Sequence, residues 1–242
     1  MKNHTVNLNY SLIAVADGDG DDQSLIDPAA TSTAKTSVFF RDLESRLIHE
    51  IEHCDFIVGC VAWLTKDSII AALAKVPYGV SIIVQKEDFL RPDLNNNLPS
   101  LAAQLRRHYE SLRCQFHRYE IPGMVGRLSI CGDCNLEPIR CVGNHNAAKW
   151  PAFPRMHHKF LVFCSVPRYS NGTGQSKIVP LRVWTGSFNL TKNSANSLEN
   201  AVLINSHVLA RSYFEEWQQI AALSEQLDWT SEWTAPEWRI GT

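Results

Sequence analysis

Phe39, Leu43, Leu47 and Ile51 recur every fourth residue, which predicts an amphipathic helix with one buried stripe once order begins near Ser37. Residues 55–63 follow as a nearly unbroken apolar run (Phe56, Ile57, Val58, Cys60, Val61), the pattern of a strand covered on both faces. A second helix is expected through Ile69, Ile70 and Leu73 with Thr65 as its N-cap, and residues 79–84 read as another buried strand. Strand, helix and strand in that order predict a right-handed crossover. Residues 88–99 are polar and proline-bearing, hence a loop; 101–112 read as a helix whose Arg106, Arg107 and His108 form a basic edge. A third strand is expected at 114–119, and apolar strands recur at 158–163, 181–187 and 201–204 before a final helix over about 209–227. The expected fold class is α/β, with a mixed, largely parallel central sheet flanked by helices.

Breaks in this pattern set the organisation. Residues 1–36 are expected to be peripheral, with a strand within 10–16 and an acidic run over 17–22. That run lacks the twelfth-position Glu of a calcium loop, where Pro28 stands instead, so it reads as a solvated turn. The main domain is expected to span 37–228, interrupted by a Gly-, Pro- and Cys-rich insertion at about 121–155. Residues 229–242 form a tail whose Trp229, Trp233 and Trp238 are expected to pack back onto the body. No internal repeat is evident, so any site occurs once per chain.

Composition narrows the class. With 242 residues, 45% of them hydrophobic, the chain can bury a sizeable core. A net charge of −2 gives no global basic surface, so contact with nucleic acid would have to be local. No apolar run approaches the roughly 18 residues of a membrane span, and stable membrane association is not expected. Seven cysteines, several in apolar runs (Cys54, Cys60, Cys164), suit buried free thiols in a reducing, cytoplasmic setting.

The candidate chemistry lies on the late strands. In Met156-His157-His158-Lys159, alternation puts His157 and Lys159 on one face and His158 on the other. An imidazole beside an ammonium suits an anionic phosphate: one group attacks phosphorus while the other holds a non-bridging oxygen. Gly186-Ser187-Phe188-Asn189 follows a short apolar strand and places a hydroxyl and a carboxamide on one side, both able to donate to phosphate oxygens. Glu199, ten residues beyond Asn189, precedes the next strand, where a carboxylate could fix the tautomer of His157. Taken singly these are a strand-end histidine, turn formers and a surface charge; their order between apolar strands gives them weight together.

His157-x-Lys159, Gly186-Ser187-x-Asn189 and Glu199-Asn200 together resemble the pattern of the phospholipase D superfamily. The likeness is greatest to its small single-motif members, the bacterial endonucleases and the Zucchini-type proteins, and spans roughly 37–217 less the insertion. One position departs: the family places an Asp, held to be mainly structural, five residues after the Lys, and here it is Cys164. The resemblance implies a homodimer that joins two half-sites and a phosphohistidine on His157, with His157 of the second chain as general acid. It also implies Lys159, Ser187 and Asn189 around the transition state, and no cofactor for catalysis.

Within the insertion, Cys131, Cys134, Cys141 and His145 have the spacing C-x2-C-x6-C-x3-H, a candidate for a closed structural zinc site. Zucchini-type relatives also carry a zinc-bearing insertion. DNA or RNA is the expected substrate, with Lys149, Trp150, Arg155, Arg182, Trp184 and Lys192 as candidate binding residues, set against ordinary packing for the tryptophans. The alternatives are a lipid phosphodiesterase of the phospholipase D type and a module that binds nucleic acid without cutting it.

Overall fold

The computed structural model describes residues 12–13, 23–24, 35–87, 100–121, 135–146, 148–151, 153–167 and 178–227. The acidic run at 17–22, the loop at 88–99, Cys131, Cys134 and the tryptophan-bearing tail lie outside them.

Two short strands, β1 (Leu12–Ile13) and β2 (Gln23–Ser24), pair with each other. The body then runs β3 (Thr36–Phe39), α1 (Leu43–Glu52), β4 (Phe56–Val61), α2 (Asp67–Leu73), β5 (Val80–Gln85) and α3 (Ser100–Glu110). It continues with β6 (Ile139–Val142), β7 (Lys159–Ser165), β8 (Val179–Gly186), α4 (Lys192–Ala195), β9 (Ala201–Ile204), α5 (His207–Leu223) and β10 (Glu225–Gln226). Strands β3 to β10 make one sheet in the order β10-β6-β5-β4-β7-β8-β9-β3.

The sheet is mixed, as expected, but mostly antiparallel rather than largely parallel. Only β4–β5 and β5–β6 are parallel, with α2 in the first connection and α3 in the second. The remaining ladders of the sheet are antiparallel. Three further expectations change. Phe39 lies on β3, and the helix begins only at Leu43. The stretch 114–119 forms isolated bridges and a short 3-10 turn instead of a strand. Part of the expected insertion, Ile139–Val142, is a fully buried strand of the main sheet.

Alternation along the central strands separates two cores. Ile57 and Val61 of β4, with Leu161 and Phe163 of β7, face α1, α2 and α3 through Leu47, Ile70 and Tyr109. Phe56, Val58 and Cys60, with Phe160 and Val162, face α5 through Phe214 and Trp217. Burying each such side chain contributes about 1.5–3 kcal/mol before entropy is counted. Gly59 allows β4 and β7 to approach: a Cβ there would come within 2.4 Å of the Phe160 carbonyl oxygen. Lys159 begins β7 on the α1–α3 side of the sheet, which fixes where the site opens.

Candidate active site

The ladder between β4 and β7 pairs Val61 with Lys159, and Ala62 N–H donates to the His158 carbonyl at 2.9 Å. The same antiparallel register brings Trp63 opposite His157, and their rings meet edge to face with centroids 5.5 Å apart. The indole N–H donates to Glu87 Oε1 at 2.8 Å, which holds the ring, and the Arg155 guanidinium lies 6.0 Å from its centroid. His157 is exposed, and Lys159 Nζ sits 3.2 Å from its Nε2, 3.3 Å from its Nδ1 and 3.0 Å from its carbonyl oxygen. His158 turns to the other face, with Nε2 3.6 Å from Glu216 Oε1 on α5, as alternation requires.

Electrostatics favour a neutral imidazole. Partial burial lowers the His157 pKa, and the neighbouring Lys159, Arg155 and His158 charges lower it further. Burial also lowers the Lys159 pKa, with the Glu199 carboxylate acting in the opposite direction. A neutral ring nitrogen beside a cation is competent to attack an electrophile that carries negative oxygens.

Ser187 and Asn189 reach this region through two connections. Ser187 N–H donates to the Asn200 carbonyl at 3.1 Å, continuing the β8–β9 ladder one step past its end. Gly186 is needed for that approach, since a Cβ would lie 2.3 Å from the Asn200 carbonyl oxygen. The Ser187 hydroxyl donates to Glu199 Oε2 and accepts from the Asn200 backbone N–H at 3.1 Å. Leu190 N–H donates to the Trp63 carbonyl at 3.1 Å, and the Leu190 carbonyl accepts from Thr65 and Lys66 at 2.9 and 3.0 Å. These bonds set Asn189 beside Trp63, with its Oδ1 buried and without a hydrogen-bond partner among the described residues. Among those residues, Glu199 serves Ser187 and not the ring of His157, contrary to the role expected of it.

Two residues at the site escaped the sequence pattern. Trp63 reads there only as the aromatic end of a strand. Gln85, 2% exposed at the end of β5, accepts from the Met156 N–H at 2.7 Å and donates to the Lys86 and Asn144 carbonyls. It thereby pins the segment that carries His157.

Of the expected substrate-binding residues, Arg155 lies at the site, Lys192 is exposed on α4, and Lys149 and Trp150 are exposed, Trp150 by 66%. Trp184 is not available to a ligand: it is buried beneath the α1–α3 side of the sheet and stacks on Phe39. Arg182 is committed elsewhere, paired with Glu50 at 2.5 Å and bonded to the His53 carbonyl. Of the candidate zinc ligands, Cys141 is a fully buried β6 residue whose thiol donates to the Glu225 and Gln226 carbonyls, and His145 is buried nearby. No group of three metal-ligating side chains forms among the described residues. Nor is any helix among them long and apolar enough to cross a membrane.

Fold and site together define a mixed α/β protein with a His-x-Lys pair and a Ser–Glu pair at the exposed end of antiparallel strands. The chain belongs to the same family as uncharacterized protein L381 of Acanthamoeba polyphaga mimivirus. The two are 33% identical over 205 residues, which cover 80% of this chain and 67% of the viral protein. No protein-family model matches the chain. Its fold is similar to that of Nuc from Salmonella typhimurium, a phospholipase D family member, with 20% identity and a TM-score of 0.44 over 76% of this chain and 91% of that one. It is also similar to NucT from Helicobacter pylori, with 14% identity and a TM-score of 0.44 over 76% and 96% of the two chains. A third similar structure is phosphatidylserine synthase from Haemophilus influenzae Rd KW20, with 17% identity and a TM-score of 0.42 over 87% and 44%.

Proposed function

We propose that this protein is a phosphodiesterase of the phospholipase D type that cleaves nucleic acid as a homodimer. The observation that carries the reading is the His157–Lys159 pair, an accessible imidazole with lowered pKa and an ammonium nitrogen 3.2 Å from its Nε2. In the first step the ring nitrogen of His157 attacks phosphorus, and the bond to the leaving oxygen breaks as that oxygen takes a proton from His157 of a second copy. In the second step that second imidazole removes a proton from water, which attacks phosphorus and releases His157. Lys159 and Asn189 hold the non-bridging oxygens as charge develops, joined by Ser187 when its hydroxyl turns from Glu199 to the phosphate. The single His-x-Lys pattern in the chain supports the dimer, since the second imidazole has to come from elsewhere. A structural zinc on Cys131, Cys134, Cys141 and His145 is a separate proposal, tested by metal analysis of the purified protein beside Cys131→Ser and Cys134→Ser.

Labelled single- and double-stranded DNA and RNA, incubated in excess EDTA with wild type and His157→Ala, test the reading. Cleavage that persists in chelator and disappears in the variant is the expected result. A folded dimer that cuts none of these substrates would overturn it and direct attention to lipid head groups or to binding without cleavage.

A further inference from the structure

A cleft of about 1030 Å³ opens beside the catalytic cluster and shares two of its residues, Trp63 and Asn189. Its other walls come from the entry to α2, from α3 and from α4, including Thr65, Lys66, Gln104 and Asn193. The volume lies at the upper end of the roughly 300–1,000 Å³ typical of small-molecule sites.

The charges along this cleft are matched. Lys66 Nζ lies 3.1 Å from Glu44 Oε2, Ser68 donates to Glu44 at 2.5 Å, and Asp67 sits 3.0 Å from His108 Nδ1. Lys192 adds a cation at the rim, so two acidic and two basic residues line the space. A wall of this kind gives little electrostatic attraction to a row of phosphates. Its indole, amides and hydroxyls instead suit a neutral, planar group with hydrogen-bonding edges, attached to the phosphate that His157 and Lys159 receive.

We propose that this cleft receives the base and sugar of one unpaired nucleoside next to the scissile phosphate, with Gln104 and Asn193 contacting it. The inference rests on the phosphodiesterase reading above and deepens it to a substrate class. A base held in a duplex is stacked and paired and cannot enter a cleft without being extruded, so single-stranded nucleic acid is the preferred substrate.

The test uses two chromogenic phosphodiesters. Bis(p-nitrophenyl) phosphate carries no nucleoside, whereas the p-nitrophenyl ester of thymidine 5′-monophosphate carries one. Gln104→Trp and Asn193→Trp, both at exposed helix positions, narrow the cleft with little demand on the core. The ratio of kcat/KM for the nucleoside ester to that for the bis-aryl ester is expected to fall at least tenfold in each variant. Titration calorimetry with thymidine 5′-monophosphate is expected to show binding to wild type and a loss of at least tenfold in the variants. A ratio and an affinity both within twofold of wild type would overturn the nucleoside site and leave the phosphodiesterase reading standing. Binding that depends on the cleft, with neither ester hydrolysed, would instead sustain the site and overturn the reaction.

Discussion

Glu199 takes its hydrogen bond from Ser187, across the base of the α4-bearing connection between β8 and β9, and not from the ring of His157. The carboxylate therefore acts on the hydroxyl and, through space, on Lys159, whose pKa it raises against the effect of burial. Replacing Glu199 with Gln removes that opposition, so the Lys159 pKa falls further. The alkaline limb of the rate profile for the nucleoside ester is expected to move to lower pH in Glu199→Gln. An alkaline limb that stays in place would separate Glu199 from Lys159. Ser187→Ala removes the hydroxyl that Glu199 holds. Under the proposed mechanism, in which that hydroxyl turns to a phosphate oxygen in the transition state, a fall in kcat of about 10²-fold is expected, as for loss of one oxyanion donor.

His157 supplies the acid limb. Burial, then Lys159, Arg155 and His158, hold its pKa below the ordinary imidazole value of about 6.5. The neutral ring, the form that attacks phosphorus in the proposed mechanism, therefore persists to lower pH than for a free histidine. Arg155→Ala removes one of the charges that disfavour the protonated ring, so the pKa rises and the acid limb moves to higher pH. Proton NMR of the His157 ring, followed through a titration in wild type and Arg155→Ala, reads the shift directly. A displacement to lower pH would contradict the assigned cause.

The site was legible where its geometry is local and obscure where it depends on register. Alternation along residues 157–159 already puts His157 and Lys159 together, and the structure keeps them so. Trp63 meets His157 only because Val61 pairs with Lys159, a relation between strands nearly one hundred residues apart that no local pattern encodes. Phe39 fits a four-residue spacing that is shared by a helical turn and by every second strand position, so its place on β3 could not be told from a helix. The strand Ile139–Val142 is short and sits amid glycines and cysteines, which hid it. Trp184 belongs to the core because β8 lies under α1 and beside β9, and tryptophan in an apolar strand is more often packed than presented.

Gln85 connects three backbone segments through one buried amide, and Gly143 leaves it room, since a Cβ there would lie 2.3 Å from Gln85 Oε1. Gln85→Leu keeps the bulk but leaves the Met156 N–H and the Asn144 carbonyl without this partner. Each buried group left unsatisfied costs about 1–3 kcal/mol, and a lowered Tm is expected. Because Met156 adjoins His157, kcat is expected to fall about tenfold or more while KM changes by less than about threefold, the pattern of a misplaced reacting group. A variant that loses stability and keeps kcat would reduce Gln85 to a purely structural role.

Cys164 stands where the phospholipase D pattern has an aspartate, and its surroundings account for the difference. It is fully buried on the α5 side of β7 with Phe56, Val58 and Cys60, and burial first, then Cys54, pushes its thiol pKa well above the ordinary value. Near this end of β7 the Asp55 Oδ2 accepts from the Val166 N–H at 2.8 Å. Cys164→Ala is therefore expected to lose about 1 kcal/mol of stability and to keep its activity. Cys164→Asp places a carboxyl among apolar side chains, where burial raises its folded-state pKa above the unfolded value of about 3.9. The penalty is small below that pH, where both states are protonated, and grows as pH rises above it. Chemical denaturation of both variants at about pH 4 and pH 7.5 measures the contrast. An aspartate variant as stable as wild type at the higher pH would mean that position 164 has a partner for the carboxylate after all.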